Sequence, residues 1–71
     1  MQRPNEPESL VEVNVTYLFT TPMAIRVEDA DGRKLWIPLK EISAGYDPDA
    51  DRLSNMTLTV PEWLAVDRGL I

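Results

Sequence analysis

The chain has 71 residues, of which 44% are hydrophobic, and twelve acidic side chains against seven basic ones give a net charge of -5. This length allows one small domain with a thin core, because such a domain buries only about 60% of the surface of its unfolded chain. Cysteine and histidine are absent, which excludes disulfide bonds and the usual zinc or copper ligands. The negative charge disfavours indiscriminate binding to nucleic acid or to an anionic membrane.

The first nine residues contain two prolines and two glutamates, and they lack the apolar stretch of a signal peptide. We interpret residues 1–9 as a flexible arm that precedes a single β-rich domain, residues 10–71. No apolar run approaches the roughly 20 residues that span a bilayer. We therefore expect a soluble, intracellular protein.

From Leu10 onward, apolar residues alternate with polar ones up to the Thr21-Pro22 pair. This period of two, rich in β-branched and aromatic types, predicts a strand with one buried face. The residues expected on that face are Val11, Val13, Val15, Tyr17 and Phe19.

The segment from Met23 to Leu39 predicts a β-hairpin. A three-residue loop over residues 30–32, with Gly32 in the left-handed conformation, puts the apolar residues of both strands on one side. The pairs expected there are Val27 with Leu35, Ile25 with Ile37, and Met23 with Leu39. A two-residue loop would mix apolar and charged residues across the strands and is therefore disfavoured.

The same register gives the second face of the hairpin a polar character. Glu28 meets Lys34 as an ion pair, and Arg26 meets Trp36 as a cation–π contact. Pro38 has no amide donor, which predicts either that its strand lies at an edge of the sheet or that its pairing ends there.

Residues 40–55 have no sustained period and predict a long surface loop, with Ile42 and Tyr46 as anchors. A fourth strand follows, in which Met56, Leu58 and Val60 alternate with threonines.

Pro61 and Glu62 in a first turn, Arg68 near the end and Gly69 as the stop predict a short helix. We expect its buried face to carry Trp63, Val66 and Leu70, with Trp63 filling the largest gap. The order β-β-β-β-α indicates a mainly β fold: a small bent antiparallel sheet, or a partly open SH3- or OB-like barrel, with a short C-terminal helix.

Three aspartates, Asp47, Asp49 and Asp51, stand at alternate positions of the long loop. The simplest interpretation is a solvated loop in which Asp47 starts a turn. A calcium loop of the EF-hand type is disfavoured, because its sixth position is Arg52 and its twelfth is Leu58.

A third interpretation of this triplet is a surface for a partner. Alternate residues of an extended chain lie about 6–7 Å apart, which is comparable to successive phosphates of a nucleic acid. Such a row of carboxylates imitates a nucleic-acid backbone, and Glu28, Asp29 and Asp31 extend it if the two loops lie together.

Trp36 also has two interpretations. It lies either beneath the arm or the long loop in a small second cluster, or it is exposed beside basic residues. An exposed aromatic ring among bases on a curved sheet stacks an unpaired base and holds its phosphates. The residues of this alternative nucleic-acid face are Arg26, Arg33, Lys34, Trp36 and Lys40.

Catalysis is not expected from this composition. The serines, Ser9, Ser43 and Ser54, have no evident base beside them, and the sequence holds no glycine-rich phosphate loop and no set of metal ligands. We expect a non-enzyme with no cofactor and no metal.

Two motifs carry a resemblance to a family. Trp36-Ile37-Pro38 matches W-[IL]-P, and residues 62–70 match E-W-[LIV]-A-x-x-[KR]-G-[LIV]. On these motifs, residues 23–71 resemble a family of short uncharacterised proteins of phages, prophages and other mobile elements. Family members often carry Ser-Gln after the first motif, where this chain has Leu39-Lys40-Glu41.

The resemblance implies a genomic context, that of a mobile element. The location that follows from this context is the cytoplasm of a bacterial host. Mobile elements encode small acidic inhibitors of host defence, including anti-CRISPR proteins, and small accessories to replication and recombination. Our leading hypothesis is an inhibitor that binds a host protein or ribonucleoprotein complex through its acidic residues. The alternative is a single-stranded nucleic-acid-binding accessory, and a third hypothesis is a homodimeric scaffold that pairs through the Pro38 edge or the helix.

Overall fold

A computed structural model describes residues 9–71, so the expected arm lies outside the described residues apart from Ser9. The order of elements is the expected β-β-β-β-α. The strands and helices are β1 Leu10–Thr20, β2 Ala24–Glu28, β3 Lys34–Pro38, a single 3₁₀ turn Leu39–Glu41, β4 Asn55–Pro61 and α1 Glu62–Asp67.

The four strands form one antiparallel sheet in the order β3-β2-β1-β4. Residues 10–16 of β1 pair with β4, whereas residues 16–20 pair with β2. Because its two partners use successive halves of one long strand, the sheet bends along β1 and does not close. The predicted fold class is therefore confirmed in its bent, open form.

A β-bulge interrupts the alternation of β1. Tyr17 pairs with Val27 while Phe19 pairs with Arg26, so Leu18 is the extra residue. A bulge shifts every later residue of its strand to the opposite face. The prediction that Phe19 is buried is therefore wrong, since it is 48% exposed, and Leu18 is buried instead.

The hairpin of β2 and β3 has the predicted three-residue loop and register. Gly32 adopts a φ of +83°, and its N–H donates to the Asp29 carbonyl at 3.1 Å. One prediction for the end of the hairpin opposite the loop is wrong. The Leu39 N–H does donate to the Met23 carbonyl, but the Met23 side chain is 78% exposed rather than on the core face.

The core lies between the inner face of the sheet and α1. Its fully buried residues are Ile25, Val27, Ile37, Leu58, Val60, Leu64 and Ala65. The helix therefore inserts Leu64 and Ala65, while Trp63 and Val66 are exposed and only Leu70 lies where expected. The predicted role of Trp63 is wrong. The helix follows directly on a paired strand that ends at Pro61, and the face of the helix that packs against the sheet carries Leu64 and not Trp63.

Two hydrogen bonds of one short bridge tie the long loop to β4. The Ser43 N–H donates to the Thr59 carbonyl at 2.8 Å, and the Thr59 N–H donates to the Ala44 carbonyl at 2.9 Å. This short bridge covers part of the free edge of β4. Ile42 and Tyr46 pack against the core, so their predicted role as anchors is confirmed.

The chain after α1 is fastened to the edge strand β3. The guanidinium of Arg33 donates to the Gly69 carbonyl at 2.9 Å, and that of Arg68 donates to the Trp36 carbonyl at 3.1 Å. β3 is an outer strand of the sheet, as predicted from Pro38. Within residues 9–71, no helix has the length and apolar character to cross a membrane.

Gly45 is required by a close approach. Its φ is +93°, and a Cβ added there would lie 1.9 Å from the Thr57 carbonyl oxygen. At Gly32 a Cβ would meet nothing within 4 Å.

We expect Gly32→Ala to lower the free energy of unfolding by about 1–2 kcal/mol through its left-handed backbone alone, and Gly45→Ala to lower it by roughly twice that or more. Urea unfolding of both variants measures the difference, and equal losses would show that the loop moves away from β4 without cost.

Candidate functional site

The acidic residues of the hairpin do not form one surface. The Asp29 carboxylate accepts hydrogen bonds from the Asp31 N–H and the Arg33 N–H, both at 2.9 Å. It also forms an ion pair with the Arg33 guanidinium at 2.8 Å, and only 6% of its side chain is exposed. Asp29 is therefore engaged within its own loop.

This engagement changes the acidity of Asp29. Partial desolvation of the carboxylate acts to raise the pKa of Asp29, but the hydrogen bonds from Arg33 and Asp31 and the charge of Arg33 outweigh it. The pKa consequently lies below the ordinary value of 3.8. Arg33 joins the hairpin loop to the end of the helix, because it binds both Asp29 and the Gly69 carbonyl.

Glu28 and Asp31 have different surroundings. Glu28 lies on β2 and forms the predicted ion pair with Lys34, at 3.8 Å. Asp31 is exposed at the tip of the hairpin. Within residues 9–71, no hydrogen bond or ion pair joins the hairpin acids to the aspartates of the long loop.

The aspartates of the long loop are all exposed. The Asp47 carboxylate accepts the Asp49 N–H at 2.9 Å, and the Asp47 carbonyl accepts the Ala50 N–H at 3.1 Å, so the predicted turn at Asp47 is confirmed. The carboxylates of Asp49 and Asp51 make no bond within the described part of the chain. The loop therefore presents unpaired negative charge to the solvent.

Leu53 stands at the end of this loop, and sequence reasoning missed it. Its φ is +70°, the only positive φ of a non-glycine residue among residues 9–71, and its side chain is 64% exposed. The Leu53 N–H donates to the Tyr17 carbonyl at 2.6 Å, which holds this conformation. An exposed leucine in a left-handed conformation costs free energy, and such residues concentrate at functional sites.

A second surface lies on the outer face of the sheet, and we call Phe19, Arg26 and Trp36 the platform. The Arg26 guanidinium carbon lies 4.9 Å from the centre of the Trp36 ring, which confirms the predicted cation–π contact. The Phe19 and Trp36 rings meet edge-on at 5.7 Å and 86°. Trp36 is 42% exposed, so it is not enclosed in a second cluster.

Sequence reasoning found Arg26 and Trp36 but missed Phe19. The hairpin register places the first two on the outer face, whereas the Phe19 side chain reaches that face only through the bulge at Leu18. The adjacent pair Leu18-Phe19 at the end of a strictly alternating strand is the one signal of a possible shift of face.

The basic residues of the predicted nucleic-acid face differ in whether an acidic side chain pairs with them. Arg33 and Lys34 are engaged by Asp29 and Glu28. Lys40 is exposed on the 3₁₀ turn, without an ion pair within the described residues. Arg26 likewise has no hydrogen bond or ion pair, so its guanidinium donors have no acceptor among residues 9–71.

Next to the platform is an open apolar depression of about 350 Å³. Its lining consists of Pro22, Met23, Ala24, Pro38, Leu39 and Lys40. Ala24 and Pro38 are paired two positions along the strands from Arg26 and Trp36, so these two lining residues lie on the same face of the sheet as the platform.

Among residues 9–71, no group of three or more carboxylates is arranged to hold a metal ion. Compared with protein-family models, with curated proteins and with solved structures, the chain has no match in any of the three. The site is therefore argued from its own geometry.

The acidity of Asp29 predicts an acid-sensitive contribution to stability. Because its folded-state pKa is lowered, the stabilisation is present above the unfolded value near 3.8 and is lost as the pH falls through the folded-state pKa. We expect Asp29→Asn to lower the Tm at pH 7 and to converge with the wild type at low pH. Thermal unfolding across pH checks this, with Asp31→Asn as the control, because the Asp31 carboxylate has no hydrogen bond or ion pair within residues 9–71. A Tm difference independent of pH would contradict the prediction.

The exposure of Trp36 predicts a modest cost of its removal. Trp36→Ala forfeits a cation–π contact of about 0.5–1 kcal/mol and an aromatic pair of about 0.5–1.5 kcal/mol. We therefore expect a loss of about 1–2.5 kcal/mol in urea unfolding, compared with about 2–5 kcal/mol for the fully buried control Ile37→Ala. A Trp36→Ala loss as large as the control's would mean that the indole is part of the core.

Proposed function

We propose that this chain is a non-enzymatic protein that binds another macromolecule and acts by occupying its surface. The observation that carries the proposal is the loop of three exposed aspartates, Asp47, Asp49 and Asp51, two of which have no partner within the described residues. The resemblance to mobile-element proteins makes a host complex the partner, most specifically a CRISPR or other defence nuclease.

The mechanism we propose is electrostatic occupation of a nucleic-acid groove. Lysines and arginines that hold phosphates would pair with the exposed loop carboxylates. The chain carries these carboxylates on a turn that begins at Asp47, and not in the extended row expected from the sequence. Such an association is fast and weakens as salt rises, because exposed charges are screened beyond about 10 Å at 0.1 M salt.

Leu53 supports a specific contact rather than a purely diffuse one. A large exposed apolar side chain next to the acidic loop offers area that loses water on binding. Its backbone conformation is held by the bond to Tyr17, so the side chain is presented before a partner arrives. Pre-organisation of this kind lowers the entropic cost of association.

The geometry reduces the number of acidic residues that are available to bind the partner. Asp29 is excluded from direct pairing, because Arg33 and the loop backbone already satisfy it. Glu28 is neutralised by Lys34. The proposal therefore depends on Asp47, Asp49 and Asp51, with Asp31 as an outlying charge.

Charge reversal of the loop tests this mechanism. We expect Asp47→Lys, Asp49→Lys and Asp51→Lys together to weaken partner binding on the order of 100-fold, because like charges then face each other across the interface. The measurement is recovery of the partner from host lysate by the tagged protein across a series of salt concentrations, with mass spectrometry and an interference assay in the host.

The matched control reverses three acids elsewhere, Glu12, Glu41 and Glu62, with the same change in net charge. We expect this control to retain the partner and the inhibition. Full recovery of the same partner by the loop variant, or equal losses in both variants, would contradict the mechanism.

A second candidate function is binding of single-stranded nucleic acid on the platform. The exposure of Trp36 beside Arg26 favours it. It predicts salt-sensitive binding of an oligothymidylate that is lost with Trp36→Ala. The ion pairs of Arg33 and Lys34 reduce the positive charge available for phosphates.

A further inference from the structure

The platform and the adjacent depression form an interaction surface of their own. Phe19, Arg26 and Trp36 come from three neighbouring strands and meet on the outer face. Trp36 is fixed through its carbonyl by Arg68 and through its ring by its two platform neighbours. Tryptophan and arginine are among the residues that contribute most at the centres of protein interfaces.

The charge of the platform is positive and locally uncompensated. Glu28, its nearest acid along β2, is paired with Lys34 instead of Arg26. The Arg26 guanidinium rests against the indole and has no acceptor within residues 9–71. A guanidinium fixed in this way fits a carboxylate with two parallel hydrogen bonds.

The depression supplies an apolar site at a defined distance. Its residues Ala24 and Pro38 lie two strand positions from Arg26 and Trp36, a separation of about 6–7 Å. Its lining is otherwise aliphatic, and its volume of about 350 Å³ leaves room for a branched aliphatic side chain. Lys40 lies at its rim and adds a second positive charge.

We infer that this surface binds an extended acidic segment of a partner protein. One carboxylate of the segment binds Arg26, and an aliphatic side chain two residues away enters the depression. A further acid beyond the aliphatic residue lies within reach of Lys40. The inference uses no residue of the loop 47–53, so it stands or falls separately from the electrostatic mechanism proposed above.

Nucleic acid fits this surface less well than an acidic peptide. Two of the four basic residues expected to hold phosphates, Arg33 and Lys34, are in ion pairs. One face of the Trp36 ring is covered by Arg26, which competes with base stacking on that face. An apolar depression beside the ring also offers nothing to a phosphate–sugar chain.

The test is a titration of the full chain against a fluorescein-labelled peptide, Gly-Asp-Ser-Leu-Ser-Asp-Gly, followed by anisotropy. Control peptides replace both Asp by Asn or Leu by Ser, and decathymidylate is titrated in parallel. We expect each control peptide to bind about tenfold more weakly, the loss that corresponds to one good contact. Arg26→Gln is expected to weaken the parent peptide about tenfold.

Arg52→Gln is the matched control, because it makes the same charge change on the loop before β4. We expect its affinity for the peptide to stay within about twofold of the wild type. The Tm of each variant shows that its fold is kept, and Trp63→Phe leaves Trp36 as the one tryptophan, whose emission should shift on binding.

Several outcomes would overturn the inference. They are no peptide binding at roughly 1 mM protein, equal binding of the Asn peptide, and unchanged affinity in Arg26→Gln. Tighter binding of decathymidylate, lost with Trp36→Ala, would assign the surface to nucleic acid. Self-association that protects the Trp36 emission would assign it to a second copy of the chain.

Discussion

The structure depends on the pairing of one long strand, β1, with two partners in succession. Residues 10–16 hold β4 and residues 16–20 hold β2, so β1 alone connects the two parts of the sheet. In a domain this small the core is a single layer of side chains beneath that strand. The helix and the long loop cover the inner face, whereas Phe19 and Trp36 on the outer face are exposed.

The bulge at Leu18 gives this arrangement its functional character. One extra residue turns Phe19 to the outer face, where it joins Trp36, a residue brought there by the register of a separate hairpin. The platform is thus assembled from two independent local events. Its rigidity follows from the backbone pairing of three strands, and bulges of this kind often re-aim a side chain toward a binding site.

Much of the fold was predictable, because its local patterns agree with its long-range packing. The hairpin register follows from the separation of apolar and charged faces, which a slip of one residue would destroy. The position of the bulge was not predictable, since Tyr17, Leu18 and Phe19 are all apolar and such a run fits either face of the strand. The orientation of α1 also failed, because six helical residues carry too few apolar positions to fix which face packs.

The candidate site was predictable only where one element defines it. Arg26 with Trp36 and Glu28 with Lys34 follow from the hairpin alone. The capture of Asp29 by Arg33 depends on how the loop backbone curls, and the left-handed Leu53 depends on its bond to β1. The spacing of charged residues in the sequence predicts neither of these two features.

The attachment of the C-terminal turn to β3 also affects self-association of the protein. An edge strand offers its free backbone groups to any other strand, which is the usual route to edge-to-edge aggregation. Here Arg68 occupies the Trp36 carbonyl on the open side of β3, and Pro38 has no N–H to offer. The edge is blunted for strand addition, and association is directed away from the backbone toward side-chain surfaces, where sequence decides what binds.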